Sequence, residues 1–187
     1  MNLFFSFLVC LILSVCCAAQ DITTRLTPLS PIERVRYIGG YMEENNLVNS
    51  PEFDSFLQQL KVFAKKHNDP LLLNHIQYLI KGTPIFKEQN ADVKIELIKK
   101  LQEEYQKKND LLHVGDCLVA IGQIQFINEQ YAFAFENLLA AEEIFKKMGY
   151  ENVPNMGKYL HDFALDYFFF QDYEKVIGYM KDRKSVV

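Results

Sequence analysis

Cysteine is scarce in this chain, and its distribution excludes disulfides from most of the protein. Three of the four cysteines, Cys10, Cys16 and Cys17, fall within an apolar N-terminal segment, and Cys117 is the fourth. If that segment is removed, no internal disulfide can form, so the rest of the chain has to rely on its hydrophobic core. For an exported protein, this favours a bacterial periplasm or cell surface over a cystine-stapled eukaryotic secretion product.

Charge is absent from the N-terminus, where no charged side chain precedes Asp21. Residues 3–15 are almost wholly apolar, and residues 17–19 supply the small side chains that a signal peptidase requires. The Lys or Arg that usually stands ahead of the apolar run is missing. We predict a signal peptide over residues 1–19, cleaved after Ala19, and therefore an exported protein that is periplasmic or secreted.

An uncleaved N-terminal membrane anchor is the alternative. The run from Leu3 to Ala19 has 17 residues, short of the roughly 20 that a helix needs to cross a bilayer. Ser6 and Ser14 also interrupt it. A lipidated cysteine is disfavoured because no small residue directly precedes Cys16. We therefore expect no stable membrane span in residues 20–187.

Positive charge is not in excess, so the composition does not point to a polyanionic partner. The chain carries a formal net charge of −4, which gives no reason to expect binding to nucleic acid or attraction to an anionic membrane surface. Residues 20–187 number 168, which is enough for one cooperative core and does not demand two domains.

The sequence lacks a recognisable catalytic constellation. His113, Asp116 and Cys117 lie within five residues, and on a helix His113 and Cys117 would share a face. A Cys–His nucleophile would need an imidazole that stabilises the thiolate and a cleft for substrate, and neither a local signature nor a supporting residue accompanies this group. We interpret Cys117 as a small packed residue and His113 as a surface group, predict that the protein is not an enzyme, and keep a thiol-dependent enzyme as the least favoured alternative.

Metal and cofactor motifs are also lacking. His67 lies near a predicted helix end, where positive charge complements the helix dipole, while His75 and His161 are isolated. No pair of histidines therefore has metal-ligand spacing. Gly39 and Gly40 lie inside a helical pattern and form no phosphate-cradling loop. We expect no metal and no cofactor.

What the sequence does contain is a succession of helix starts. Residues 30–33 have the Ser-Pro-x-Glu pattern of a capping box with proline at the first helical position, and further caps stand at Ser50, Asp69 and Asn90. Apolar residues recur between these starts at helical spacing, and no stretch alternates as a strand would. The pattern predicts eight helices, at residues 31–46, 51–66, 70–81, 91–107, 111–127, 131–148, 155–170 and 173–184. Short polar connections between them predict an all-α fold of antiparallel helical hairpins.

One spacing pattern occurs twice in the C-terminal third. Gly122 is followed by Ala134 in the first copy, and Ala164 by Val176 in the second, with apolar residues at matching offsets around them. Small residues at these positions let two antiparallel helices approach closely, and a repeated hairpin of this kind stacks on its neighbours. The positions that carry the pattern are Leu118, Ile121, Gly122, Ala134, Leu138 and Ala141, then Leu160, Phe163, Ala164, Val176 and Met180.

On these positions, residues 115–184 resemble tetratricopeptide (TPR) repeats. Tyr167 occupies the aromatic position of the first helix, whereas Gln125 replaces it in the earlier copy. The copies are 42 residues apart, from Tyr131 to Tyr173, and not the family's usual 34. The resemblance implies a short TPR-like α-solenoid. We expect a signal peptide, an extended leader at 20–29, repeat-like hairpins at 30–110, and two TPR-like repeats at 111–187 that end without a capping helix, as a truncated array would.

Long repeats behind an export signal are similar to the extracytoplasmic regions of Bacteroidetes sensor kinases and related regulators. This resemblance implies a scaffold that binds a protein or peptide partner, as the sensing part of a bacterial signalling protein. The alternative is a stand-alone periplasmic structural or assembly factor that self-associates through its C-terminal edge. One side of the first helices lines the binding groove in this family, and the resemblance places there Asp116, Val119, Gln123, Phe126, Ile127, Lys158, His161, Leu165, Phe168 and Phe169.

The aromatic run at residues 168–170, next to Tyr167, admits two interpretations. Its rings either pack between the last two helices or form an exposed apolar patch that marks an interface.

Overall fold

The computed structural model describes residues 22–186, and for Val186 the backbone alone. The predicted signal peptide at 1–19 lies outside the described residues. Between residues 30 and 186 the chain forms eight α-helices and two short 3-10 turns, at Leu47–Asn49 and Tyr150–Asn152. The helices are α1 (Pro31–Glu44), α2 (Phe53–Lys66), α3 (Pro70–Phe86), α4 (Ala91–Lys107), α5 (Leu111–Ile127), α6 (Tyr131–Met148), α7 (Met156–Phe169) and α8 (Tyr173–Val186).

The predicted all-α fold of antiparallel helical hairpins is confirmed. No strand occurs among residues 22–186, and helices that follow each other in the chain pack together, namely α4 on α5, α5 on α6, and α7 on α8. Three predicted helix starts agree with the structure through their caps. The capping box of Ser30 and Glu33 is complete, and the backbone N–H groups of Leu72 and Val93 donate to the side chains of Asp69 and Asn90.

Several predicted boundaries differ from the structure by one or two residues, and the end of α3 differs by five. Helix α2 begins at Phe53 and not at residue 51, because Ser50 and Glu52 bond to each other in a turn ahead of it. Helix α3 continues to Phe86 and not to residue 81. Pro84 lies inside its last turn, where the hydrogen bond that proline cannot donate is a small loss next to the bonds that the rest of the helix makes.

The predicted extended leader is also wrong over its described part. Residues 22–26 are helical, and Ile22 and Leu26 are buried. Arg34 of α1 fixes this segment, because its Nε donates to the carbonyl of Leu26 at 3.0 Å while its Nη1 pairs with Oδ2 of Asp69 at 2.8 Å. An isolated buried charge would be costly, so the ion pair and the backbone acceptor together account for the buried guanidinium.

Four of the connections share one turn geometry. Asn68, Asn109, Glu129 and Gln171 have positive φ, from 50° to 62°, and each directly precedes the last residue before the next helix. The N–H of that last residue donates to a carbonyl five positions earlier: Asp69 to Ala64, Asp110 to Tyr105, Gln130 to Gln125, and Asp172 to Tyr167. This is the left-handed helix terminus known as the Schellman motif. The turns recur 41 residues apart from Asn68 to Asn109 and 42 apart from Glu129 to Gln171, so the period seen in the sequence is also a period of backbone geometry.

The chain divides into two compact units, one that ends at Gln77 and one that begins at Tyr78, inside α3. The core of the first unit includes Ile38 and Leu60, and that of the second includes Ile121 and Phe145, all at most 1% exposed. The sequence also predicted a boundary between residues 110 and 111, where the similarity to TPR repeats begins. That boundary stays a prediction. Within residues 22–186, no helix combines the length and the apolar character needed to cross a membrane.

The close approach predicted at Gly122 is present in the second unit. A Cβ added at Gly122 would lie 2.7 Å from Cγ of Leu138 and 3.1 Å from the carbonyl oxygen of Ala134. Gly115, seven residues earlier on α5, is tighter still, since an added Cβ would lie 2.3 Å from the ring of Phe145. Both glycines therefore set the distance between α5 and α6.

Candidate functional site

The first helices of the two predicted repeats, α5 and α7, are joined by side-chain hydrogen bonds. Nε2 of Gln123 donates to Oδ2 of Asp162 at 2.9 Å, and the hydroxyl of Tyr159 donates to Oδ1 of Asp116 at 2.7 Å. The ring of Phe126 on α5 also lies 5.7 Å from the ring of Phe169 on α7. These contacts bring both halves of the predicted groove to one surface of the second unit.

Two of the ten predicted groove residues are placed wrongly by the sequence. Asp116 and Val119 are only 7% and 3% exposed, so neither can face a partner. Asp116 turns toward α7 because the Tyr159 hydroxyl offers it a hydrogen bond there, and Val119 is apolar and packs inward. Burial raises the pKa of Asp116 to about 6, although the nearby His113 and the bond from Tyr159 act in the opposite direction.

The other eight residues are at least partly accessible, and we call them the α5–α7 surface. Four of them are large apolar side chains with more than half of their surface in solvent, namely Ile127 (79%), Phe169 (60%), Phe168 (57%) and Leu165 (53%). The remaining members are Gln123, Phe126, Lys158 and His161. Exposed apolar area concentrated in this way is unusual for a surface that meets only water.

At one end of this surface, aromatic rings from α5, α6 and the end of α7 meet. The ring of Phe126 contacts those of Tyr131, Phe135, Phe169 and Phe170, and the ring of Phe169 also contacts Tyr131 and Phe170, with centroids 5.2–6.3 Å apart and mostly edge-to-face. Phe170 remains 46% exposed and Phe169 60%. Of the two interpretations of residues 168–170, the structure therefore supports the exposed patch. The groove predicted from the sequence did not include Tyr131, Phe135 or Phe170. The one signal that could have found Tyr131 was that a tyrosine begins the second helix of each predicted repeat.

His113 is buried, so its prediction as a surface group is wrong. Its Nδ1 lies 2.8 Å from Oδ2 of Asp110, and its ring packs 4.8 Å from that of Tyr78 and 5.0 Å from that of Tyr105. Asp110, the N-cap of α5, thus fixes the imidazole against aromatic rings of α3 and α4. The hydrogen bond lowers the pKa of the Asp110 carboxyl even though burial opposes this.

Cys117 is fully buried and has no disulfide partner among the described residues, in agreement with its predicted packing role. Burial, with the adjacent charge of Asp116, raises the pKa of its thiol to about 12. A nucleophilic cysteine needs the opposite shift and access to substrate. The imidazole of His113 is directed to Asp110, so the group His113, Asp116 and Cys117 is a buried polar layer of the second unit.

Within residues 22–186, no group of three or more His, Cys, Asp or Glu side chains is arranged to hold a metal ion. The fold and the surface define the class of protein as all-α, built from antiparallel helical hairpins, with an exposed apolar surface on α5 and α7. No protein-family model, curated protein or solved structure matches this chain.

Proposed function

We propose that the protein is an exported TPR-like scaffold that binds a protein or peptide partner through the α5–α7 surface. In this proposal it serves as the extracytoplasmic sensing part of a bacterial signalling protein and performs no catalysis. The single observation that carries the binding role is the concentration of exposed apolar side chains on α5 and α7, at Ile127, Leu165, Phe168 and Phe169.

The chemistry of this surface favours a peptide or helical segment as the ligand. Its centre offers aromatic and aliphatic side chains, and its polar members, Gln123, Lys158 and His161, are few. A partner with two or three apolar anchors would bury these side chains, while a small number of hydrogen bonds would orient it. Gln123 is already bound to Asp162, so that part of the surface is fixed before a ligand arrives.

The binding role is tested with a displayed library of random peptides selected against the folded chain. Enriched peptides are then titrated against wild type and against Ile127→Asp and Phe169→Asp. Because both substitutions place a charge where an apolar anchor would dock, we expect each to weaken binding at least about tenfold.

Val62→Asp is the matched control, since Val62 is an exposed aliphatic residue on α2 with 68% of its surface in solvent. Circular dichroism establishes that all three variants keep their helices. Failure of the selection to enrich any peptide, or enriched peptides that bind the three variants equally, would contradict the proposal.

A further inference from the structure

The outer face of α8 carries a stripe of exposed residues at helical spacing. Glu174, Ile177, Gly178 and Lys181 stand at positions i, i+3, i+4 and i+7, so they share one face. All four are exposed, and Ile177 leaves 54% of its surface in solvent. Tyr179, which points inward, is buried and donates its hydroxyl to Glu142 of α6 at 3.1 Å. We call the four residues the α8 outer stripe.

Gly178 has no steric role among the described residues. A Cβ built on it would meet no atom within 4 Å, whereas Cβ atoms at Gly115 and Gly122 would collide with α6. Glycine inside a helix is less favourable than alanine, and its usual justification is a special backbone conformation or the close approach of another group. Gly178 lies in a regular helix, so it leaves a gap on the exposed face of α8 that a side chain from outside the described chain can approach closely.

The charged ends of the stripe also lack partners within the described chain. Neither Glu174 nor Lys181 takes part in an ion pair among residues 22–186. They lie seven positions apart on one helix, about 10 Å along its axis, which is too far for them to pair with each other. The stripe is therefore acidic at its start, apolar in the middle with a glycine gap, and basic at its end.

We propose that the α8 outer stripe is the contact between two copies of this chain, packed antiparallel about a two-fold axis. An axis midway between Ile177 and Gly178 places Glu174 of each copy opposite Lys181 of the other. The same axis sets Ile177 of each copy over the gap left by Gly178 of the other. A two-fold interface has to be complementary to itself, and this stripe meets that condition in both charge and shape.

The second copy is favoured over an unrelated helix because one register satisfies all four residues together. Self-association at the C-terminal edge is the alternative that the sequence left open, and in this proposal these side chains form the contact. Since one pair of helices buries less area than a standard interface, the dimer is weak, with a dissociation constant in the micromolar range.

Sedimentation equilibrium of the full chain, from about 1 µM to about 300 µM, tests this contact. All variants share the same N-terminal segment, so differences between them report on α8. We expect a reversible monomer–dimer equilibrium that Ile177→Glu weakens at least tenfold, while Val62→Glu, at an exposed aliphatic position on α2, leaves it unchanged. A monomer over the whole range, or equal effects of the two substitutions, would overturn the proposal.

A charge exchange tests the antiparallel register. Glu174→Lys and Lys181→Glu each place like charges opposite each other and weaken the dimer, whereas the double variant restores it, because Glu and Lys face each other again across the axis. If each single variant weakens the dimer and the double variant does not restore it, this register is wrong.

Gly178→Ala separates dimerisation from folding. Alanine strengthens the helix, so the thermal midpoint of the monomer rises, yet its methyl group fills the gap that receives Ile177 and the dimer weakens. Gly40→Ala is the matched control, since Gly40 is an exposed glycine of α1 with nothing within 4 Å. It should raise the midpoint without changing the dimer. If Gly178→Ala leaves the dissociation constant of the dimer unchanged, as Gly40→Ala should, then Ile177 does not pack over Gly178.

These measurements are independent of the peptide-binding proposal. The peptide selection relies on Ile127 and Phe169, and neither belongs to the α8 outer stripe. A wild-type chain that binds the peptides and stays monomeric would therefore reject the two-fold contact alone, and a wild-type chain that dimerises and binds no peptide would reject the binding role of the α5–α7 surface.

Discussion

Asp166 of α7 holds a carboxyl group in an unfavourable position. Its Oδ2 is buried without a hydrogen-bond partner among the described residues, beside a small cavity lined mainly by side chains such as Phe135, Phe163 and Tyr167. Burial, together with the charge of Asp162, raises the pKa of Asp166 to about 6. Asp166 is thus a candidate source of pH-dependent stability.

An aspartate in the unfolded chain has a pKa of about 3.9. Between about pH 4 and pH 6 the folded chain therefore keeps a proton on Asp166 that the unfolded chain has lost, so stability falls as pH rises through this window. We predict that Asp166→Asn, which cannot ionise, raises the free energy of unfolding at pH 7 by about 1 kcal/mol, allowing for partial solvent screening. Urea denaturation at pH 4 and pH 7 measures the difference.

The gain from Asp166→Asn should shrink toward zero at pH 4, where wild-type Asp166 is protonated in the folded chain. Asp54→Asn, at an exposed position of α2, serves as the control and should give no comparable gain. A gain of equal size at both pH values would mean that ionisation of Asp166 is not its cause.

The sequence was least informative about the burial and the partners of single residues. The spacing of His113 and Cys117 correctly put them on one helix, but burial of His113 depends on Tyr78 of α3 and Tyr105 of α4. Asp116 likewise is turned inward by Tyr159, 43 positions later. Periodicity within one helix carries no information about which polar side chain a neighbouring helix will supply.

At the scale of the element, α5 and α6 depend on the absence of two side chains. A Cβ at Gly115 would lie 2.3 Å from the Phe145 ring, and that ring cannot easily move because it stacks on Tyr159 at 5.2 Å with an interplanar angle of 3°. We predict that Gly115→Ala lowers the free energy of unfolding by about 1–3 kcal/mol through overpacking. This loss exceeds the roughly 1 kcal/mol that alanine contributes to an open helix.

Gly40→Ala isolates the helix-propensity contribution, since nothing lies within 4 Å of its added Cβ. Urea denaturation should therefore show opposite signs for the two substitutions, a gain at Gly40 and a loss at Gly115. Equal gains at both positions would show that α6 moves away from α5 without cost.

Helix starts were more predictable than helix ends for a local reason. A start is marked by a cap that acts within three residues, as at Ser30, Asp69 and Asn90. The ends use non-glycine residues in the left-handed conformation, including Glu129 and Gln171, and these side chains give no sequence signal for such a turn. The end predicted for α3 at residue 81 was also wrong, since the helix continues to Phe86 and includes Pro84 in its last turn.

At the scale of the whole molecule, the fold class and the period were within reach of the sequence, while the surface was only partly so. The resemblance to TPR repeats predicted that residues of α5 and α7 share one surface, and eight of the ten residues predicted there are accessible. The rings of Tyr131 and Phe135 were not predicted as part of this surface. Both residues belong to α6, and they contact the rings of Phe126, Phe169 and Phe170 only because the helices pack together.

Export is the property of the whole molecule on which the proposed sensing role depends. The apolar run in residues 3–15 and the small residues at 17–19 fit a signal peptidase substrate, so we predict that the chain expressed in a bacterial host is recovered from the periplasm with Gln20 as its first residue. Intact mass and N-terminal sequencing measure this. Leu8→Arg interrupts the apolar run and should leave the uncleaved chain in the cytoplasm. An uncleaved wild-type chain in the membrane fraction would support the N-terminal anchor instead. An uncleaved wild-type chain in the cytoplasm would contradict the extracytoplasmic role, and the peptide selection would then test the binding surface by itself.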